Sequence, residues 1–334
     1  MQLKISIYFI KYKKRKVCIK IAINITKKIP FNNQVYHYCS LETFRLIIES
    51  KSLFMSDFHY MNDSSEENYF LSVFEQGIKK IYNDFADEQK IRNDKSNYMK
   101  QYMHNLSDLN SNICFICCFS KKRDDLNQWR SYGDDGKGIC IGFEKSYFQK
   151  LMKKSRFFAE DIKYCSVEEL YSFILNKLGE IMELYSPIDK SVEFTQCVYK
   201  ELGSKRAKFK STAFSDEKEF RIGFYDKLSN KAIKQYVFGN EHIGGEALKI
   251  NMEKEYKFKT GVKLSVVNYR TSKNLLVPYR KLELGTELFK AIKSITIGPK
   301  CHVSKTEIAK FMAYKCDNEY CGYEQVFESN IPYV

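Results

Sequence analysis

The segment from Lys210 to Phe224, KSTAFSDEKEFRIGF, carries the densest chemistry of the 334-residue chain. Glu217, Glu219 and Arg221 alternate, so an extended strand points all three to one face and leaves Phe220, Ile222 and Phe224 for the core. Carboxylates that close cannot both ionise freely without a cation, and Arg221 is spaced to be that cation. The pattern suits a carboxylate that abstracts a proton or bonds a sugar hydroxyl. The competing reading is a solvated strand face paired to a lysine across the sheet. His37, among aromatics in Val35-Tyr36-His37-Tyr38, offers a ring nitrogen to a ligand hydroxyl or carbonyl, and Tyr38 offers a stacking face; an ordinary core or edge histidine is the alternative. In Asn62-Asp63-x-x-Glu66, helix capping by Asp63 or Ser64 with acids in the first turn is the first reading.

The elements that must hold these groups follow from apolar spacing. Residues 35–38 have strand composition. Ser40 stands as an N-cap before residues 41–48, whose apolar positions 41, 44, 47 and 48 trace one helical face. A short strand is expected at 52–56 and a helix over roughly 66–83. The unbroken apolar run at 112–119 reads as a buried strand closed by Ser120. Residues 125–132, with the single tryptophan Trp129 and with Tyr132, read as a short helix. The turn Gly133-Asp-Asp-Gly-Lys-Gly138 leads to a second buried strand at 139–143, and the two core strands are expected to pair. Helices at 167–185, 190–208 and 305–314 and strands at 294–299 and 323–329 complete an α+β fold, a mixed, mainly antiparallel central sheet flanked by helices. The organisation expected is a basic N-terminal extension over 1–33 and one elaborated domain over 34–334.

With 44% hydrophobic and 15% aromatic residues the chain buries a real core, which excludes disorder. The net charge of +14 concentrates polyanions and makes nucleic acid a plausible partner, although Lys-rich composition explains the same number. Eleven cysteines, an odd count at irregular spacing, read as reduced thiols and a cytoplasmic location. Cys301, His302, Cys316 and Cys321 are too irregular for a zinc site, and no metal is expected. No run approaches the ~18 apolar residues of a membrane span, so no membrane association is expected. Walker, dinucleotide-fold and His-Glu-x-x-His motifs are absent.

Four ordered segments together resemble the bacterial family catalogued as domain of unknown function 2971, over roughly residues 34–334. They are Tyr36-His37-Tyr38 followed by Asn62-Asp63-x-x-Glu66; Phe119-Ser120 with Leu126-x-x-Trp129-x-x-Tyr132 and Gly138-Ile-Cys-Ile-Gly-Phe143; Glu217-x-Glu219-Phe220-Arg221; and Ile297-Gly298-Pro299 with Ser329. More distantly the chain resembles ADP-ribosyltransferases, including the nucleic-acid-modifying transferases of toxin–antitoxin systems. That resemblance implies His37, Tyr38, Ser40, Ser120, Trp129, Tyr132 and Arg221 around NAD as substrate, Glu219 with Glu217 as catalytic carboxylates, and Asn62, Asp63 and Glu66 in support. It implies an NAD-consuming transferase or glycohydrolase, a toxin or phage-defence effector with nucleic acid as acceptor and an inhibitory partner protein. The usual Ser-Thr-Ser is missing; Cys117-Cys118-Phe119-Ser120 keeps only the last hydroxyl. Two other classes remain open: a nucleotide or nucleic-acid sensor without turnover, and a metal-dependent nuclease using Asp63, Glu66, Glu217 and Glu219. If the transferase reading holds, His37 and Glu219 must face one cleft.

Overall fold

The computed structural model describes residues 33–60, 65–89, 114–153, 156–185, 191–226, 253–272, 274–316 and 323–333. The strands are β1 (Gln34–Cys39), β2 (Ser52–Asp57), β3 (Cys114–Ser120), β4 (Ile139–Glu144), β5 (Phe157–Asp161), β6 (Lys163–Cys165), β7 (Phe209–Ser211), β8 (Glu219–Tyr225), β9 (Tyr256–Lys257), β10 (Lys263–Leu264), β11 (Asn268–Ser272), β12 (Leu275–Glu283), β13 (Ile292–Ile297) and β14 (Val326–Glu328). The α-helices are α1 (Leu41–Ser50), α2 (Ser65–Gln89), α3 (Leu126–Tyr132), α4 (Lys145–Met152), α5 (Val167–Leu184), α6 (Ser191–Glu201), α7 (Glu287–Ala291) and α8 (Lys305–Lys315). The fold is α+β with a large, mainly antiparallel sheet, whose one parallel pair among the described strands is β13 with β14.

β3 organises the sheet. All seven of its residues pair with β8, from Cys114 opposite Tyr225 to Ser120 opposite Glu219, so β8 takes one whole edge. The other edge is shared. β2 pairs with it at Phe115 and Ile116, and β1 at Ser120. Cys118 stands between them in register with neither. β1 and β2 therefore diverge from β3, and the sheet forks into one arm β1-β4-β13-β14 and another β2-β12-β10-β9, with β11 on β12.

Alternation explains the core. Val35 and Cys39, Phe119, Ile141 and Phe143, and Phe220, Ile222 and Phe224 share one face, covered by Phe44, Ile47 and Ile48 of α1, Phe148 of α4 and Met312 of α8. Phe44, Ile47 and Ile48 recur at helical spacing. Ser40 caps α1 by accepting from Thr43 N at 3.1 Å, and Lys51 closes it in the left-handed region at φ 51°. A second cluster joins Phe70 and Val73 of α2 to Ile174 and Leu178 of α5 and Val198 of α6.

One expectation changes. β3 and β4 do not pair: β1 lies between them, bonding β4 along its whole length. The turn after α3 instead locks against the far side of β4. Gly298 N donates to Gly138 O and Lys300 N to Gly136 O, so the Gly133–Gly138 and Ile297–Pro299 segments interlock. β5, α4, α7 and the whole β9–β12 region had no expectation attached. Residues 1–32 and 90–113, including most of the N-terminal extension, lie outside the described residues.

Candidate functional site

The fork opens into a cleft of about 340 Å³, within the size range of small-ligand sites. Its wall includes His37, Tyr38, Ser40, Ser120, Tyr132, Glu217 and Glu219. Tyr36, Ser120 and Glu219 are level on the adjacent strands β1, β3 and β8, which puts the outer two strands about 10 Å apart.

Glu219 is the best-defined group. Its Oε1 accepts from Arg221 Nε at 2.7 Å and its Oε2 from the same guanidinium at 2.8 Å. Arg221 is fully buried, and it also donates to Ala207 O at 3.1 Å. Lys210, itself buried, donates to Glu217 at 2.6 Å and stands 3.7 Å from Glu219. Among the described residues each of these two carboxylates thus meets a cation, as charges kept out of water must. Burial pushes the Glu219 pKa up, but Arg221, Lys210 and a hydrogen bond from the Cys118 thiol outweigh it, and the net shift is downward. Glu219 is therefore held as an anion at neutral pH and is a weaker proton acceptor than an unpaired carboxylate.

The strand alternation expected for Glu217, Glu219 and Arg221 fails at its first member. Glu217 ends a 3-10 turn over Thr212–Glu217, Lys218 takes φ 46°, and β8 starts only at Glu219. The cation between the two carboxylates is Lys210, and Arg221 pairs with Glu219. Ser120 fixes this turn: its Oγ donates to Glu217 O at 2.8 Å and accepts from Lys122 N at 3.1 Å. Glu219 N in turn donates to Tyr164 Oη at 2.8 Å.

His37 belongs by alternation to the Phe119 side of the sheet, yet its ring turns into the fork, with Nδ1 3.1 Å from Cys118 O. A carbonyl only accepts, so Nδ1 carries the hydrogen, and the neutral ring keeps Nε2 as an acceptor. Burial holds the His37 pKa below its ordinary value, against the Cys118 carbonyl and with help from Arg270. The ring is neutral at pH 7.

Other expected site residues have structural duties. Tyr38 donates to Lys122 O at 2.8 Å and lies edge-on to Trp129. Ser40 is the α1 cap. Trp129 does not wall the cleft: it is fully buried, with Nε1 donating to Asp124 at 2.7 Å. Arg221 does not line it either; it pairs with Glu219, which does. Asn62 and Asp63 lie outside the described residues, and of Glu66 only the backbone, in α2, is described. Among the described residues no three His, Cys, Asp or Glu side chains are disposed to hold a metal ion, and the Glu217–Glu219 pair already holds a lysine and an arginine. No helix among them is long and apolar enough to cross a membrane.

Sequence reasoning missed Lys210 and the cleft residues Arg270, Ser56 and Tyr60. Lys210 carried a signal, a basic residue opening the segment that ends in the carboxylates. Arg270 sits in the polar run Asn268–Ser272 and carried none.

Residues 128–222, from within α3 into β8, match a family model described as "Protein of unknown function (DUF2971)". The chain is similar to that family there. The match takes in Tyr132, Lys210, Glu217, Glu219 and Arg221, and it is narrower than the expected 34–334: His37 and the Ile297–Pro299 motif lie outside it. No curated protein and no solved structure matches the chain.

Proposed function

We propose that the chain binds a nicotinamide dinucleotide in the forked cleft and breaks its N-glycosidic bond, passing ADP-ribose to an acceptor or to water. The observation that carries this reading is Glu219: buried, held anionic by Arg221 and Lys210, and open to the same cleft as the neutral His37. A carboxylate of lowered pKa is suited to accept a ribose 2′-hydroxyl and to stabilise positive charge developing at C1′. The C1′–N bond leaves with its electron pair on nicotinamide, which becomes neutral and needs no proton. His37 Nε2 accepts a second ligand hydroxyl, and the exposed rings of Tyr60 and Tyr132 supply faces for a base. Glu217, whose side chain is 26% exposed against 8% for Glu219, stands nearer solvent, orients the incoming acceptor and takes its proton as the new bond to C1′ forms.

The resemblance to ADP-ribosyltransferases supports the same assignment of His37, Ser120 and Glu219. Their three strands being neighbours is consistent with it. The net charge of +14 favours a nucleic-acid acceptor.

The test is to incubate the full chain with NAD and follow nicotinamide release, alone and with DNA, RNA or cell lysate. Release is expected from the wild type and a loss of at least ~100-fold from Glu219→Gln, the scale of removing one electrostatic stabiliser. His37→Asn keeps a donor for Cys118 O and should raise KM more than it lowers kcat. Wild-type inactivity in every mixture sinks the reading, and NAD binding without release would make the cleft a sensor.

A further inference from the structure

The cleft is polarised along β3. At the Ser120 end stand Glu217 and Glu219. At the other end, four residues and about 13 Å away, Ile116 pairs with Ser56, and Ser56 Oγ accepts from the Arg270 guanidinium at 2.9 Å. Arg270 lies on the edge strand β11, opposite Val277 of β12, and both line the cleft. Ser40 and Thr43, at the start of α1, line this end as well, because β1 runs from the Ser120 level past Cys118 before α1 begins. Among the described residues Arg270 makes no ion pair. It spends one N–H on Ser56, and a guanidinium has five in a planar fork.

We propose that this end of the cleft is a phosphate subsite, in which Arg270, with the hydroxyls of Ser56 and Thr43, binds the phosphate groups of the nucleotide whose ribose meets Glu219. The proposal rests on the nucleotide reading above and adds the group that reads the ligand's charge. An arginine fork matches two phosphate oxygens at once, whereas a ribose or a base alone offers it no anion. The separation of the two ends sets the polarity: a cation-stabilising carboxylate at the reacting ribose and a cation at the phosphates beyond it. A ligand placed in reverse would put phosphate against two carboxylates.

The experiment measures binding of inorganic pyrophosphate, NAD, nicotinamide riboside and a short single-stranded oligonucleotide to the wild type, Arg270→Gln and Arg270→Lys. The exposed position makes both variants safe for folding. Pyrophosphate and NAD should bind the wild type and weaken about 10- to 100-fold in Arg270→Gln, the loss of a charge-assisted bond. Arg270→Lys should lie between, and nicotinamide riboside should not change. Pyrophosphate binding lost in Arg270→Gln upholds the subsite even if nicotinamide is never released, in which case only the catalytic reading falls. NAD cleavage at unchanged KM in Arg270→Gln, with no pyrophosphate binding, overturns the subsite alone. An oligonucleotide that depends on Arg270 while pyrophosphate and NAD do not also overturns it.

Discussion

At the scale of single residues, the chemistry turns on which charge Glu219 carries and what holds it there. A carboxylate 6% exposed would ordinarily be pushed toward its neutral form, and here the Arg221 fork reverses that. Removing one partner of such a pair leaves a buried charge uncompensated and costs about 3–5 kcal/mol. Glu219→Gln should therefore be less stable than the wild type at pH 7 by an amount of that order. The sign with pH follows from the lowered value: the contribution is complete above the ordinary glutamate pKa of about 4.3 and is lost as pH falls through the lower folded value. His37, whose folded value is also lowered, adds acid sensitivity from about pH 6.5 downward, but it does so in both proteins and cancels in the difference. Urea unfolding at stepped pH should show the gap between wild type and Glu219→Gln constant from pH 7 to 5 and shrinking below about pH 4. A gap that stays constant to pH 3 would mean that Glu219 is not held anionic.

At the scale of elements, α3 carries Gln128, Ser131 and Tyr132 to the cleft, and it is held by the chain's last described residues. Asp124 accepts from Trp129 Nε1, from Ser329 Oγ at 2.7 Å and from Asn330 N at 2.8 Å, and Ile331 packs on the Tyr36–Tyr38–Trp129 cluster. A chain ending at Glu328 should lose about 1–3 kcal/mol for the unmade bonds. Trp129 is the single tryptophan, so its fluorescence reads α3 alone: truncation should shift emission to the red and open it to acrylamide. Unchanged quenching would show that the segment does not hold the helix. The late Ser329 was legible in sequence as a motif member, and its partner Asp124 was not, because a contact across 205 residues leaves no local spacing. The same division runs through the molecule. β1, α1 with its Ser40 cap, β3 and β4 follow from apolar periodicity and a capping residue. β8 follows too, but its start does not, since nothing at Lys218 announces φ 46°. The β11–β12 hairpin was hidden because Asn268–Ser272 has no apolar alternation and β12 contains Pro278.

At the scale of the whole molecule, the site exists because β3 has more partners than one strand edge can serve. β1 reaches it at Ser120 and β2 at Ile116, and the gap between these contacts is the cleft. Neither arm forms the site by itself: His37 and Tyr38 belong to the β1 arm, Ser56 and Arg270 to the β2–β12 arm, and Glu219 to the strand on β3's far edge. A ligand seated in the fork must touch both arms, whereas one bound by the general attraction of a +14 surface would not distinguish them. Hydrogen exchange separates the two cases, because opening of backbone amides is local unless a contact couples the elements. With NAD present, amides of Tyr36–Cys39 and of Asn268–Ser272 should slow together, at the same ligand concentration, and the loss of Arg270 should abolish both effects at concentrations that saturate the wild type. Protection confined to one arm would place the ligand on a surface and not in the fork. Protection of both arms that survives Arg270→Gln would keep the fork as the site while assigning its affinity to the Glu219 end.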